Sequence, residues 1–154
     1  MQIMKMNIET ISPYRVAYLR HIGPYGAGNV QTMENLKRWA KSHNLFDENA
    51  IILGIALDNP ETTKPDSCRY DVCIVVSDDY SVNDKHVCQG SISGGKYAVF
   101  TISHTAEAVQ KAWLAIFPEL LKQGFQFDEA RPILERYIVE MVNKHFCEIY
   151  VPIK

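Results

Sequence analysis

Two glutamates near the C-terminal end of the chain each stand two residues before a tyrosine, Glu135 before Tyr137 and Glu148 before Tyr150. In extended backbone, side chains two residues apart share a face, so each pair sets a carboxylate beside a phenol on one surface. A carboxylate withdrawn from water either finds a cationic partner or has its pKa forced up. Walled by aromatic rings, it suits a flat hydrophobic cation, because ring faces attract positive charge. The same group could position or deprotonate a water molecule, with Tyr137 orienting a substrate. The plainer alternative is a glutamate solvated on the outer face of a half-exposed strand, beside tyrosines placed there by strand propensity and packing.

Glu135 and Tyr137 are therefore the candidates for catalysis, should there be any, and both are candidates for ligand binding. Alternation along the last apolar run adds Phe146, Glu148 and Tyr150, a mixed aromatic and acidic set opposite the apolar Cys147, Ile149, Val151 and Ile153. Trp113 and Phe117 lie on a helical stretch whose plain role is core, and Tyr18 in the first strand completes the aromatic candidates.

The elements that must position these residues come as a repeat. Tyr14-Arg15-Val16-Ala17-Tyr18-Leu19-Arg20-His21 aligns with Tyr97-Ala98-Val99-Phe100-Thr101-Ile102-Ser103-His104 at an offset of 83, and Phe46-Asp47-Glu48 recurs as Phe127-Asp128-Glu129 at an offset of 81. Each half then supplies two apolar runs, Ile51 to Leu57 with Arg69 to Val76, and Ile133 to Ile138 with Phe146 to Ile153. The order is strand, helix, strand, strand, twice. Pairing the halves' sheets lets both helices cover one side of a shared antiparallel sheet, and the opposite side is then the expected place for a ligand. Mapped through the offset of 81, Glu135 lands on Gly54 and Tyr137 on Ala56, so Gly54 and Ala56 are candidate small residues lining a cavity astride the pseudo-dyad.

The first helix carries Met33, Leu36, Trp39, Ala40 and His43 on one stripe, with Gly28-Asn29 as its expected cap. The second starts after Thr105, carries Val109, Ala112, Trp113, Ile116, Leu120 and Leu121, and stops at Gly124, with a kink or break expected at Pro118. His21 and His104, related by the repeat, are expected to end strands. The stretches Pro60 to Ser67 and Ser77 to Lys85 read as loops, and Ser93-Gly94-Gly95 as a turn.

With 154 residues, 47% of them hydrophobic, the chain has the size of one domain, 1–154, with a real core. A net charge of −2 and the lack of any Lys/Arg run argue against direct nucleic-acid binding. The opening Met1 to Met6 is too short and interrupted for a signal peptide, and no apolar run is long enough to cross a membrane, so the cytoplasm is the expected location. The four cysteines show neither the C-x-x-C spacing of a zinc site nor a close His partner in ligand register; Cys73 and Cys147 read as buried thiols, and Cys88 as the one open to solvent. No nucleotide, metal or flavin motif is present, and no cofactor is expected.

Several of these segments together resemble a known family. Gly23-Pro24 after the first strand, Asp58-Asn59-Pro60, Arg69-Tyr70-Asp71 entering an apolar strand, Ile92-Ser93-Gly94-Gly95-Lys96-Tyr97-Ala98-Val99 and the ending Glu148-Ile149-Tyr150-Val151-Pro152-Ile153 are similar to the GyrI-like proteins. That family includes DNA gyrase inhibitor proteins and the effector-binding domains of AraC-type and MerR-type multidrug-responsive regulators. The resemblance covers nearly the whole chain. It implies a pseudo-twofold α+β domain with an acidic, aromatic ligand groove, in which Glu135 matches the groove glutamate, Glu148 a second acidic position and Tyr150 an aromatic wall. The function it implies is an effector-binding module for amphipathic aromatic, cationic small molecules, in sensing or sequestration. No flanking helix-turn-helix is expected, so any transcriptional role would run through a separate DNA-binding regulator. Two alternatives stand beside it: hydrolysis of cyclopropanoid-type alkylating compounds, and gyrase inhibition through protein contacts. The sequence is compatible with a monomer or a homodimer.

Overall fold

The computed structural model describes residues 5–154, so residues 1–4 of the opening segment lie outside the described residues. The elements run β1 (Lys5–Ile11), β2 (Tyr14–Ile22), α1 (Ala27–Ser42), β3 (Ile51–Ala56), β4 (Arg69–Val76), β5 (Cys88–Ile92), β6 (Gly95–Ser103), α2 (Ala106–Lys122), β7 (Leu134–Ile138), α3 (Val139–Asn143) and β8 (Phe146–Pro152). All eight strands join one antiparallel sheet in the order β1-β6-β8-β7-β3-β4-β2-β5. That order is palindromic under exchange of the halves, and the pseudo-dyad passes between β3 and β7.

The repeat is larger than its sequence signature. Each half begins with an additional strand, β1 or β5, and each of these pairs with the first long strand of the other half, β1 with β6 and β5 with β2. Neither has a clean apolar alternation, which is why the sequence pattern passes over them. The repeated Phe-Asp-Glu segments fold alike: Asp47 Oδ1 accepts from the Asn49 amide and Asp128 Oδ1 from the Ala130 amide, both at 2.9 Å. These are the side-chain-to-backbone turns that aspartate favours.

Helix α1 buries Leu36 and Ala40 against β2 and β4, with Met33 and Trp39 alongside. Its cap is Gly26, two residues earlier than the Gly28 expected from sequence, and φ is 137° there. Helix α2 is capped by the Thr105 side chain, which accepts from the Ala108 amide at 3.1 Å; such a cap contributes about 1 kcal/mol. The helix packs Ala108, Ala112, Ile116 and Leu120 onto the β6 side of the sheet and gives way to Gly124 at φ 83°. It runs unbroken through Pro118, because Leu114, whose carbonyl loses its donor, is on the solvent side where water can replace the bond. His21 sits near the end of β2 and His104 just past β6. Cys73 and Cys147 are buried and Cys88 is exposed.

The two faces of the sheet are buried differently. One is covered by α1 and α2 side by side. The other holds Val16, Leu53, Tyr97, Val99, Leu134 and Tyr150, a cluster to which no helix contributes and in which the sheet's own side chains cover one another. That second face, where the sequence reading expected the ligand site, is closed core. Among the described residues no helix is long and apolar enough to cross a membrane, and no group of three His, Cys, Asp or Glu side chains could hold a metal ion.

Candidate functional site

The groove opens on the helix-covered face, between α1 and α2, where neither helix reaches over the middle of the sheet. Its floor is the junction of β3 and β7, where Gly54 faces Glu135 in register across the pseudo-dyad. Two residues related by the offset of 81 are thus direct neighbours. The hollow encloses about 1140 Å³, room for a drug-sized molecule. Tyr25 and Asn29 line it from the start of α1, Trp113 and Phe117 from α2, Ala56 and Tyr137 from the floor strands, and Phe127 and Ile133 from the connection to β7. The Phe117 and Phe127 rings meet edge to face at 5.4 Å.

Glu135 is the chemical centre of this hollow. The Tyr70 hydroxyl of β4 donates to Glu135 Oε1 at 2.7 Å. The absent side chain of Gly54 makes that bond possible: a Cβ there would overlap the Tyr70 hydroxyl oxygen and come within 2.8 Å of Glu135 Oε1. Burial pushes the Glu135 carboxyl above its ordinary pKa, and the hydrogen bond from Tyr70 offsets part of the rise. Burial also raises the phenols of Tyr70 and Tyr137, and the nearby Glu135 charge adds to each, so both stay neutral donors.

The cationic residues in the lining and next to it, Arg131 and Arg69, are already engaged. Arg131 is paired with Asp128 at 3.0 Å, donates to the Lys96 and Ile153 carbonyls and lies over the Tyr97 ring. Arg69 is paired with Asp58 at 3.0 Å, and its amide also donates to that carboxylate. Tyr25 ties the same corner together by donating to the Arg69 carbonyl at 2.7 Å. Among the described residues no cation is therefore left for Glu135, and the rim adds the carboxylate of Glu129. Asn29 Oδ1, buried on the groove wall, has no hydrogen-bond partner among the described residues.

Of the residues singled out in the sequence, Glu135, Tyr137, Gly54, Ala56, Trp113 and Phe117 come together in this hollow. Glu148, Tyr150, Phe146 and Tyr18 do not. The two Glu-x-Tyr strands are neighbours as expected, but Glu135 faces Ile149 and Arg136 faces Glu148, so odd-numbered residues of the two strands share the groove face. Glu148 and Tyr150 project to the closed face. There Glu148 accepts from Arg136 at 2.6 Å, the Arg136 guanidinium lies over the Tyr150 ring, and the Tyr150 hydroxyl donates to Glu9 at 3.1 Å. Tyr18 packs on the same closed cluster, and Phe146 is exposed at the start of β8. The register that decides this is set by the link through α3 and His145, which has φ 67°.

Sequence reasoning did not assign Tyr70, Tyr25, Asn29 or Phe127 to the site. β4 is buried on both faces, so alternation cannot say which side Tyr70 takes. Phe127 was visible only as a mark of the repeat, and Tyr25 and Asn29 lie where loop becomes helix.

A hollow of this size, ringed by aromatic side chains around a carboxylate, is the geometry of a small-molecule-binding domain. The chain belongs to the family described as the GyrI-like small molecule binding domain, which matches residues 4–154. Among its relatives, the SPbeta prophage-derived YosT of Bacillus subtilis strain 168, named as a transcriptional regulator, is 42% identical over 98% of this chain and 100% of its own length. DNA gyrase inhibitor 1 of Dickeya dadantii is 24% identical over 98% of this chain and 100% of its own. Among solved structures, the EcmrR C-terminal domain shares the fold with a TM-score of 0.77 at 15% identity, covering 99% of both chains. SAV2435 bound to tetraphenylphosphonium shares it at 0.61 and 16% identity, covering 97% of this chain and 94% of that one.

Proposed function

We propose that this domain binds amphipathic aromatic cations in the groove over β3 and β7, acting as an effector-binding module in sensing or sequestration. The observation that carries the reading is Glu135, a carboxylate held by Tyr70 within an aromatic hollow and left without a counter-ion. Ionised, it is poorly solvated there; a ligand cation restores what burial removed, and the rings of Trp113, Phe117 and Phe127 supply apolar area and attraction for positive charge. The second Glu135 oxygen, which takes no hydrogen bond from Tyr70, is an acceptor for a cation that bears N–H groups. Tetraphenylphosphonium, the ligand of the similar SAV2435 structure, belongs to the same chemical class. A regulatory output, in keeping with the names of the relatives, would pass to a DNA-binding or gyrase partner by contact with the liganded domain.

Calorimetric titration with tetraphenylphosphonium and with neutral triphenylphosphine oxide tests this reading. The expected result is tighter binding of the cation. Equal affinity for the two, or preference for the neutral compound, refutes it.

A second reading is favoured by the raised pKa of Glu135 beside two neutral phenols, an arrangement able to take a proton from water and hand one to a leaving group. It requires loss of the chromophore of a strained-ring alkylator in the presence of the protein and none with Glu135→Ala. Equal rates with and without protein eliminate it.

A further inference from the structure

The hollow between the helices is not the only cavity on this face. Beyond Tyr137, towards the C-terminal half of α1 and the start of α2, lies a smaller one of about 370 Å³. Tyr137 lines both cavities, so its ring is the wall between them. The pseudo-dyad explains why there is a wall on this side only: the residue equivalent to Tyr137 is Ala56, which leaves the main groove open.

The smaller cavity has the opposite charge character. Its body is apolar, formed by Met33, Phe46, Ile52 and Val142. Its polar lining is Lys37, His104 and Asn143, with no carboxylate among them. Lys37 is half-buried and makes no ion pair among the described residues. Glu140 of the adjoining α3 is taken up by Lys144 at 3.5 Å. The His104 ring packs edge-on against Tyr137 at 5.5 Å; burial lowers its pKa, and the neighbouring Lys37 ammonium lowers it further.

We propose that this cavity is a second ligand site, which takes a small amphipathic anion whose apolar body lies against Met33, Phe46 and Ile52 while its carboxylate meets Lys37 and Asn143. The inference does not rest on the reading of the main groove. The two sites are neighbours of opposite sign, and Tyr137 keeps the bound anion from the Glu135 carboxylate.

The test is calorimetric titration of the whole chain with octanoate and with octylammonium, which share a tail and differ in charge. Octanoate is expected to bind, and Lys37→Met, which keeps the length of the side chain and removes its charge, is expected to weaken it by about fivefold. Val142→Trp, which fills the cavity, should abolish octanoate binding and leave tetraphenylphosphonium titrating as in the wild type. Glu135→Gln should leave octanoate unchanged. No heat with octanoate at millimolar concentration overturns the proposal, as does octanoate binding that is weakened by Trp113→Ala but indifferent to Lys37→Met. Lys37 is half-exposed on a helix, so that variant folds even if Val142→Trp does not, and it decides the matter alone.

Discussion

Replacing Glu135 by glutamine removes a charge and little else, since the amide oxygen still accepts from the Tyr70 hydroxyl. A ligand cation about 5 Å from the carboxylate would gain about 3 kcal/mol at an effective dielectric near 20 and about 0.8 in bulk water. The groove is open to solvent on one side, so an intermediate loss of about 2 kcal/mol, roughly thirtyfold in Kd, is expected for Glu135→Gln. Stability should move the other way. Burial raises the Glu135 pKa, so the folded protein holds that proton more tightly than the unfolded chain does. The resulting stabilisation is complete below the unfolded value of about 4.3 and is lost as pH rises through the folded pKa. At pH 7 the wild type carries a poorly solvated charge that the glutamine variant lacks. The variant should therefore melt higher than wild type near neutrality, with the gap closing towards pH 4. Calorimetric titration with tetraphenylphosphonium and thermal melts across pH measure both. An unchanged Kd refutes the reasoning, and so does a variant that loses affinity and stability together, since that is the signature of a structural role.

The same linkage makes cation affinity fall as pH drops through the raised Glu135 pKa, and Tyr70→Phe, which removes the one hydrogen bond favouring the carboxylate, should move that midpoint upward; a midpoint that stays put or drops contradicts the assigned contact. Gly54→Ala forces a methyl group into the space of the Tyr70 hydroxyl and should destabilise the fold by about 1–3 kcal/mol while weakening cation binding, both measurable in denaturant melts and titrations. Glu148→Ala leaves the Arg136 guanidinium without its partner on the closed face and should lower stability by about 3 kcal/mol, with the Kd for the cation unchanged once the variant is folded. A selective loss of ligand affinity in that variant would return Glu148 to the binding site.

Much of this protein was legible in the residues alone, and the reason is local. The offsets of 83, relating Tyr14 to Tyr97, and 81, relating Phe46 to Phe127, are properties of the chain, as are the helix stripes and the Thr105 cap, because capping and helical periodicity act over three or four residues. The equivalence of Glu135 and the small Gly54 could be read from the repeat, but that the two face each other across β3 and β7 follows only from where the pseudo-dyad passes.

What the sequence left open is parity. In a strand pair, a shift of one residue turns every side chain to the other face, and the link through α3 sets that register by the conformation of a few residues, His145 at positive φ among them. So Glu135 faces the groove while Glu148, in the same local motif, turns into a buried ion pair with Arg136. Tyr70 was hidden because β4 is apolar on both sides, and only its approach over Gly54 reveals its part. The choice of face was likewise tertiary: side chains from across the sheet close one surface, and the gap between two helices leaves the other open.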